Sequence, residues 1–422
     1  MNNPNIFIIG SGPSGLIAAN YLKSLDIKFN IVTTDKDGFA DHIAEDFNFK
    51  LGQRTMFFDY GLYNFYKNID MLDDCRVNDV TIDLTDKIGV YFKGKIHNYP
   101  IQNNTSTLSL SDKLSFYWSY FNRPRLKRKD YAHWVRSVYG KWMSDNILLP
   151  HTWKTLKEDL WEINSDSYGK KVIPLKLFAK KKMYAFSESI GILDKLRDNV
   201  KEHIIVGNVK QICLKTKELF IETDSIEATG FKKYDYSFNT IDAIKLIDLL
   251  PLNDTIEVAK KSLQWNNMFL SVFILPSNLI NTDKKILYFP ERKYLFSKIN
   301  IDRKNGYTVV TCESSFRRND NDKFECQVYR EKYMNKIEYD LKDSGIVSKH
   351  LMTTYHKDHR IISPAYIITD SDYKVSNDFI QSHCEHYGIY NIGRFSEWKP
   401  NLRLEHSFKR IEDLVTKLKL IG

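Results

Sequence analysis

The segment Gly10-Ser11-Gly12-Pro13-Ser14-Gly15 stands between two apolar stretches near residue 1, and it narrows the choice of fold more than any other part of the chain. Before it, Asn5-Ile-Phe-Ile-Ile9 is a short run of the kind that fills a parallel strand buried on both faces. After it, Leu16-Ile-Ala-Ala-Asn-Tyr-Leu22 reads as a helix and Lys28-Phe-Asn-Ile-Val-Thr33 as a second strand. Strand, glycine turn, helix and strand within about thirty residues make a βαβ unit, the setting that raises a GxGxxG spacing above chance. Each glycine has its own reason. Gly10 permits the tight turn, Gly12 lets the backbone approach a pyrophosphate, and Gly15 lets the helix pack on the strand. The helix N-terminus, with Ser14 in its first turn, then offers N–H groups and partial positive charge to the phosphates. The ribose of a dinucleotide is normally held by a carboxylate at the end of the second strand. Here that strand ends Thr33-Thr34-Asp35, so either Asp35 reaches back or the Thr34 hydroxyl takes its place.

The rest of the chain reads as an α/β protein whose domains interleave. Residues 110–160 carry helical patterns, 203–245 and 268–312 alternate as strands do, and 323–345 and 402–419 are helical again. The expected division is 1–95 for the first part of a dinucleotide-binding domain and 96–180 for a mainly helical substrate domain. Residues 181–250 are expected to return to the first domain, by way of Tyr234–Thr240. A β-sheet substrate domain with a helix (251–385) and a closing segment with a helix (386–422) complete it. A formal charge of +9 over 422 residues suits an anionic ligand. The densest basic run, Arg123 to Lys129, lacks interleaved aromatics and reads as a solvated loop, so no nucleic acid is expected. Five cysteines without CxxC spacing fit reduced thiols and no metal site. With no leader and no apolar stretch of membrane-spanning length, a cytoplasmic protein without a membrane span is expected. A homo-oligomer is left open.

Several stretches in register resemble the UDP-galactopyranose mutase family, more its eukaryotic than its bacterial branch. Besides the glycine turn they are Tyr99-Pro100-Ile101-Gln102-Asn103-Asn104, Tyr184-Ala-Phe186-Ser-Glu-Ser-Ile-Gly191, and Gly393-Arg394-Phe395-Ser-Glu-Trp398-Lys399 followed by Glu405-His406-Ser407-Phe408. They are similar to that family's PYPFQNN, aromatic-Pro-Gly-Gly and GRFGxWKYE…DHSF segments and span nearly the whole chain. The resemblance implies a Rossmann-type FAD domain with interleaved helical and antiparallel β-sheet substrate domains. It implies a reduced FAD that attacks the sugar's anomeric carbon through N5, with a change of ring size and no net redox. The partner would be a nucleotide sugar, met by Gln102, Asn103, Tyr288 and Tyr366. Gly393, Arg394 and His406 would lie beside the flavin, with the N-terminus of the last helix directed at its pyrimidine ring.

The pattern also departs from that family. Its GGH falls on Gly52-Gln53-Arg54, its diphosphate-clamping arginines fall on Lys298 and on Lys170 or Lys171, and a tyrosine falls on Pro400. Lysine keeps the charge but lacks the bidentate fork that suits phosphate. Arg54, Lys298 and Arg394 are the catalytic candidates. Two rival readings stay open: an FAD oxidoreductase of the amine-oxidase type, and a non-catalytic descendant that binds a nucleotide.

Overall fold

The run Ile6–Ile9 forms strand β1, and all four side chains are buried, as β-branched and aromatic residues on a two-sided parallel strand should be. A turn through Gly10–Gly12 leads into helix α1 (Pro13–Ser24), which has Pro13 in its first turn, and then into strand β2 (Phe29–Thr33). The computed structural model describes residues 4–34, 42–44, 49–50, 81–83, 86–125, 130–165, 184–186, 189–251, 253–304, 306–348, 356–370 and 372–420. It divides into two compact units: one of residues 1–82, 184–263 and 372–422, the other of 83–183 and 264–371.

The first unit is built on a five-stranded parallel sheet in the order Ile389–Asn391, Tyr236–Asn239, β1, β2, Ile204–Val206. The register sets Ile6 opposite Phe29 on one side and Tyr236 on the other. The fold is therefore α/β with a parallel sheet. Helices α1, Ser189–Asp198 and Leu404–Lys417 share one core with it, through Leu16, Ile17, Leu193, Leu196, Ile411 and Leu414 among others. Asn208–Cys213, Glu218–Glu222 and Gly230–Lys233 add a three-stranded antiparallel sheet.

The second unit is a seven-stranded mixed sheet: His356–Ile368, Gln264–Pro276, Tyr307–Arg317, Lys298–Arg303, Ile286–Tyr288, Ile88–Phe92, Lys95–Asn98. Only Ile286–Tyr288 and Ile88–Phe92 run parallel; the other neighbours are antiparallel. The period-2 alternation of Ile88–Phe92 divides its side chains between two cores. Tyr91 joins the core under helix Gln327–Asp343, whereas Val90 and Phe92 join the one under helices Leu110–Phe121, Tyr131–Met143 and Leu149–Leu156. Among the described residues, no helix is long and apolar enough to cross a membrane, and no group of three or more potential ligands could hold a metal ion.

Candidate functional site

In the first unit the glycine turn sits at the carboxyl end of β1, where open α/β sheets bind ligands. Gly10 has φ +101°, and a Cβ there would meet Thr240 Oγ1 at 2.7 Å. That hydroxyl already donates to the carbonyls of Ile9 (2.8 Å) and Gly10 (3.1 Å), so the strand Tyr236–Asn239 locks the turn from one side. A Cβ on Gly15 would lie 2.1 Å from the Gly10 carbonyl oxygen, so α1 can pack against the turn only with glycine there. Gly12 differs from both. Its φ of −66° suits any residue, and a Cβ would meet no atom of the described residues within 4 Å. Among the described residues no side chain caps α1. The first-turn N–H groups, which have no partner inside a helix, thus adjoin open space at Gly12.

Two further segments converge on this turn. Gly393, at φ +107°, follows strand Ile389–Asn391 and presses on the first turn of α1: a Cβ there would lie 2.6 Å from Ser14 Oγ. Ser14 Oγ and Ser407 Oγ are 3.1 Å apart, which joins α1 to the first turn of Leu404–Lys417. The loop between is held from within. Ser396 Oγ donates to the Asn239 carbonyl at 2.7 Å, and Glu397, buried, accepts the Gly393 N–H at 3.1 Å. Arg394 is exposed and donates through Nε to the Leu402 carbonyl at 3.0 Å. His406 Nδ1 accepts the Arg403 N–H at 3.1 Å, so it serves the helix start. Glu405 in that first turn already sets a carboxylate against the helix dipole.

Thr34, one of the two residues expected from the sequence to meet a ribose, is exposed directly after β2. Thr33 is turned back to the glycine turn and accepts from Ser11 Oγ at 2.8 Å. Arg197 Nη1 lies 3.4 Å from the same Ser11 Oγ, bringing a cation from helix Ser189–Asp198 to the turn. Ser11, Arg197, Thr240 and Ser407 are members of this site that were not among the candidate residues; Ser11 and Ser407 stand inside the quoted motifs and Thr240 ends the returning segment, whereas Arg197 had no local signal. Asp35, Arg54, Lys170 and Lys171 lie outside the described residues.

The second unit holds a cavity of about 320 Å³. Gln102, Tyr288 and Tyr366, from three distant segments, line it together with Tyr99, Tyr131 and His151. Gln102 belongs to the turn Ile101–Asn103; its neighbour Asn103 is half-buried and is not among the lining residues. The Tyr99 and Tyr288 rings lie 5.2 Å apart, and His151 meets Tyr288 edge-on at 5.4 Å. Tyr131, bonded to Thr152 Oγ1 at 3.0 Å, has its phenol pushed up to about 12 by burial. Burial also raises Tyr288, with Glu313 adding to it. Lys298 is in the strand Lys298–Arg303, and its Nζ donates to Glu313 Oε1 at 3.2 Å, while Tyr366 OH donates to Glu313 Oε2 at 3.3 Å. The lysine's charge is therefore already matched by a buried carboxylate.

His151 differs from His97 and His133. His97 bonds Thr107 Oγ1 at 2.7 Å and His133 bonds Asp130 at 2.7 Å. His151 Nε2 is buried, lines the cavity and finds no partner among the described residues. Burial, then the nearby Lys154 charge, lowers its pKa to about 4, so the ring is neutral. Lys154 itself is buried and donates to the carbonyls of Phe289 (2.8 Å), Glu291 (3.1 Å) and Phe296, fastening helix Leu149–Leu156 to that loop.

No protein-family model matches the sequence, and no curated protein matches it either. Solved structures do match, over nearly the full length. A reduced UDP-galactopyranose mutase has TM-score 0.79 at 16% identity, covering 100% of this chain and 95% of its own. An oxidoreductase from Methanosarcina mazei has TM-score 0.67 at 14% identity, covering 98% and 100%. Wild-type putrescine oxidase bound to putrescine has TM-score 0.67 at 10% identity, covering 99% and 99%. At such identities the likeness is one of fold, and a fold hosts many reactions. The chain therefore has the fold of these mutase and oxidase structures.

Proposed function

We propose that this chain is a divergent relative of the UDP-galactopyranose mutases: an FAD-dependent isomerase, active with reduced flavin, that interconverts pyranose and furanose forms of a nucleotide-activated sugar. One observation carries the cofactor half. Gly10 and Gly15 are required by protein atoms, but Gly12 is required by none among the described residues, so the missing side chain at α1's N-terminus is explained by a ligand that passes there. Ser14, Gly393 and Ser407 pack together beside that turn. These residues fit FAD. The turn would hold its diphosphate, Thr34 or Asp35 its ribose, and Gly393, Arg394 and His406 would stand near the flavin. Bound there in its reduced form, the cofactor supplies a nucleophilic nitrogen for the anomeric carbon of the sugar.

Support for the substrate half is the gathering of Gln102, Tyr288 and Tyr366 in one cavity. Gln102 would orient the nucleotide sugar by hydrogen bonds, and the tyrosines would exclude water from it. Lys298 would meet a diphosphate only by sharing it with Glu313 or exchanging one anion for the other. Arg54, Lys170 and Lys171 enter by resemblance alone. The experiment is anaerobic incubation of the dithionite-reduced, FAD-loaded protein with UDP-, GDP- and dTDP-sugars, followed by product chromatography. A furanose product is expected, and no turnover of any sugar in the panel removes the mutase reading. A protein that cannot be loaded with FAD removes the cofactor half as well.

A second reading, an FAD oxidoreductase whose substrate carries no diphosphate, is favoured by the Lys298–Glu313–Tyr366 chain, which leaves the strand cation neutralised. Flavin reduction by a substrate amine under anaerobic conditions would select it.

A further inference from the structure

The helix Leu110–Phe121 buries one side and leaves an apolar stripe on the other. Ser109 caps it, accepting the Asp112 N–H at 3.1 Å. Phe116 enters the core, and Ser119 Oγ accepts the Trp142 N–H at 3.1 Å, so the inner side is fully engaged. Outward, Leu110 is 74% exposed, Leu114 64%, Tyr117 37%, Trp118 74% and Phe121 74%. Spacings of four, seven, eight and eleven from Leu110 align these side chains along one face. Single exposed apolar residues are ordinary, but a contiguous aromatic and aliphatic stripe marks an interaction surface.

The basic run after the helix identifies the partner. The sequence from Arg123 to Lys129 carries five cations and no acid. Of its described members, Arg123 stacks on the Tyr120 ring at 4.0 Å and Arg125 is exposed. Tryptophan, phenylalanine and leucine on one face, with cations at its end, is the composition of a helix lying in a lipid interface. We propose that this helix docks the protein on an anionic membrane surface, its stripe at the acyl–headgroup boundary and Arg123 and Arg125 among the headgroups. A second copy of the chain would bring the same cations instead of their complement. A nucleic acid would find no stacking face on Leu110 or Leu114.

Flotation of the whole protein with vesicles of phosphatidylcholine alone, and of phosphatidylcholine mixed with phosphatidylserine, tests this. Binding to the anionic vesicles, released by salt, is expected. The Trp118→Ser/Phe121→Ser variant should keep its melting temperature, because both side chains are exposed, and lose vesicle binding by about tenfold or more. Brominated lipid should quench the fluorescence of the wild type, and Trp118→Phe should lose most of that quenching. The proposal is overturned if the wild type ignores anionic vesicles at low salt or if the double variant binds them equally well. It is equally overturned if sedimentation shows a dimer that the double variant dissociates, because the stripe is then an interface between copies.

Discussion

The glycine turn of the first unit and the cavity of the second make contrasting sites. The turn is made of backbone: three glycines, a proline and the end of a helix, all within six residues. The cavity is made of side chains drawn from the Tyr99–Gln102 turn, two helices with the segment between them, and three strands. A backbone site needs absences at fixed spacings, and a local sequence can state those. A side-chain site needs presences that become neighbours only after the sheet has formed. The two should therefore fail differently when altered.

The largest effect is expected at Gly15. Gly15→Val would drive a branched side chain into the Gly10 carbonyl, a backbone atom that cannot step aside, and should cost more than about 4 kcal/mol or prevent folding. Chemical denaturation without ligand reads this, and a near-normal midpoint would mean that α1 is not held against the turn. Lys154→Met is the counterpart beside the cavity. It strands three carbonyls, all of them more than 130 residues away in sequence, and should cost about 3 kcal/mol. An unchanged midpoint would show that the loop does not depend on the lysine.

Gly12→Val sharpens the contrast inside the turn itself. Since no atom of the described residues lies within 4 Å of the added Cβ, the fold should hold while FAD affinity falls by about a hundredfold. Flavin content of the folded variant is the measurement, and full retention would detach the turn from any dinucleotide.

The smallest effect concerns His151. Its folded pKa, about 4, lies below the ordinary 6.5, so the unfolded chain takes up a proton that the folded chain refuses. The contribution is complete above pH 6.5 and is lost as pH falls towards 4, with about 2 kcal/mol gone by pH 5. His151→Phe keeps an aromatic edge on Tyr288 and removes the proton site, so its melting temperature should change less than that of the wild type between pH 7 and pH 5. Parallel profiles would mean that His151 is hydrated and not shut in the cavity.

How much could be read in advance follows the same division. Gly10, Gly12 and Gly15 were legible because the strand, turn and helix that use them are contiguous. The Tyr99–Asn104 and Gly393–Arg394 segments stood out by resemblance, without any sign of what they touch. Lys298 was legible as a charge, yet its pairing with Glu313 depends on the register of two antiparallel strands. His151 looked like any lone histidine, for nothing near it in sequence announces an unpartnered ring nitrogen.

The sequence by itself determined the βαβ unit and the N-terminal turn, because hydrophobic period and missing Cβ atoms act over a few residues. It also determined the basic run from Arg123 to Lys129, which is a property of contiguous residues. Only the tertiary structure decided that Gly393 and Ser407 meet Ser14, that Glu313 neutralises Lys298, and that Gln102, His151, Tyr288 and Tyr366 share one cavity. The physical reason is that strand order and register, set by burial of whole faces, choose which distant side chains become neighbours.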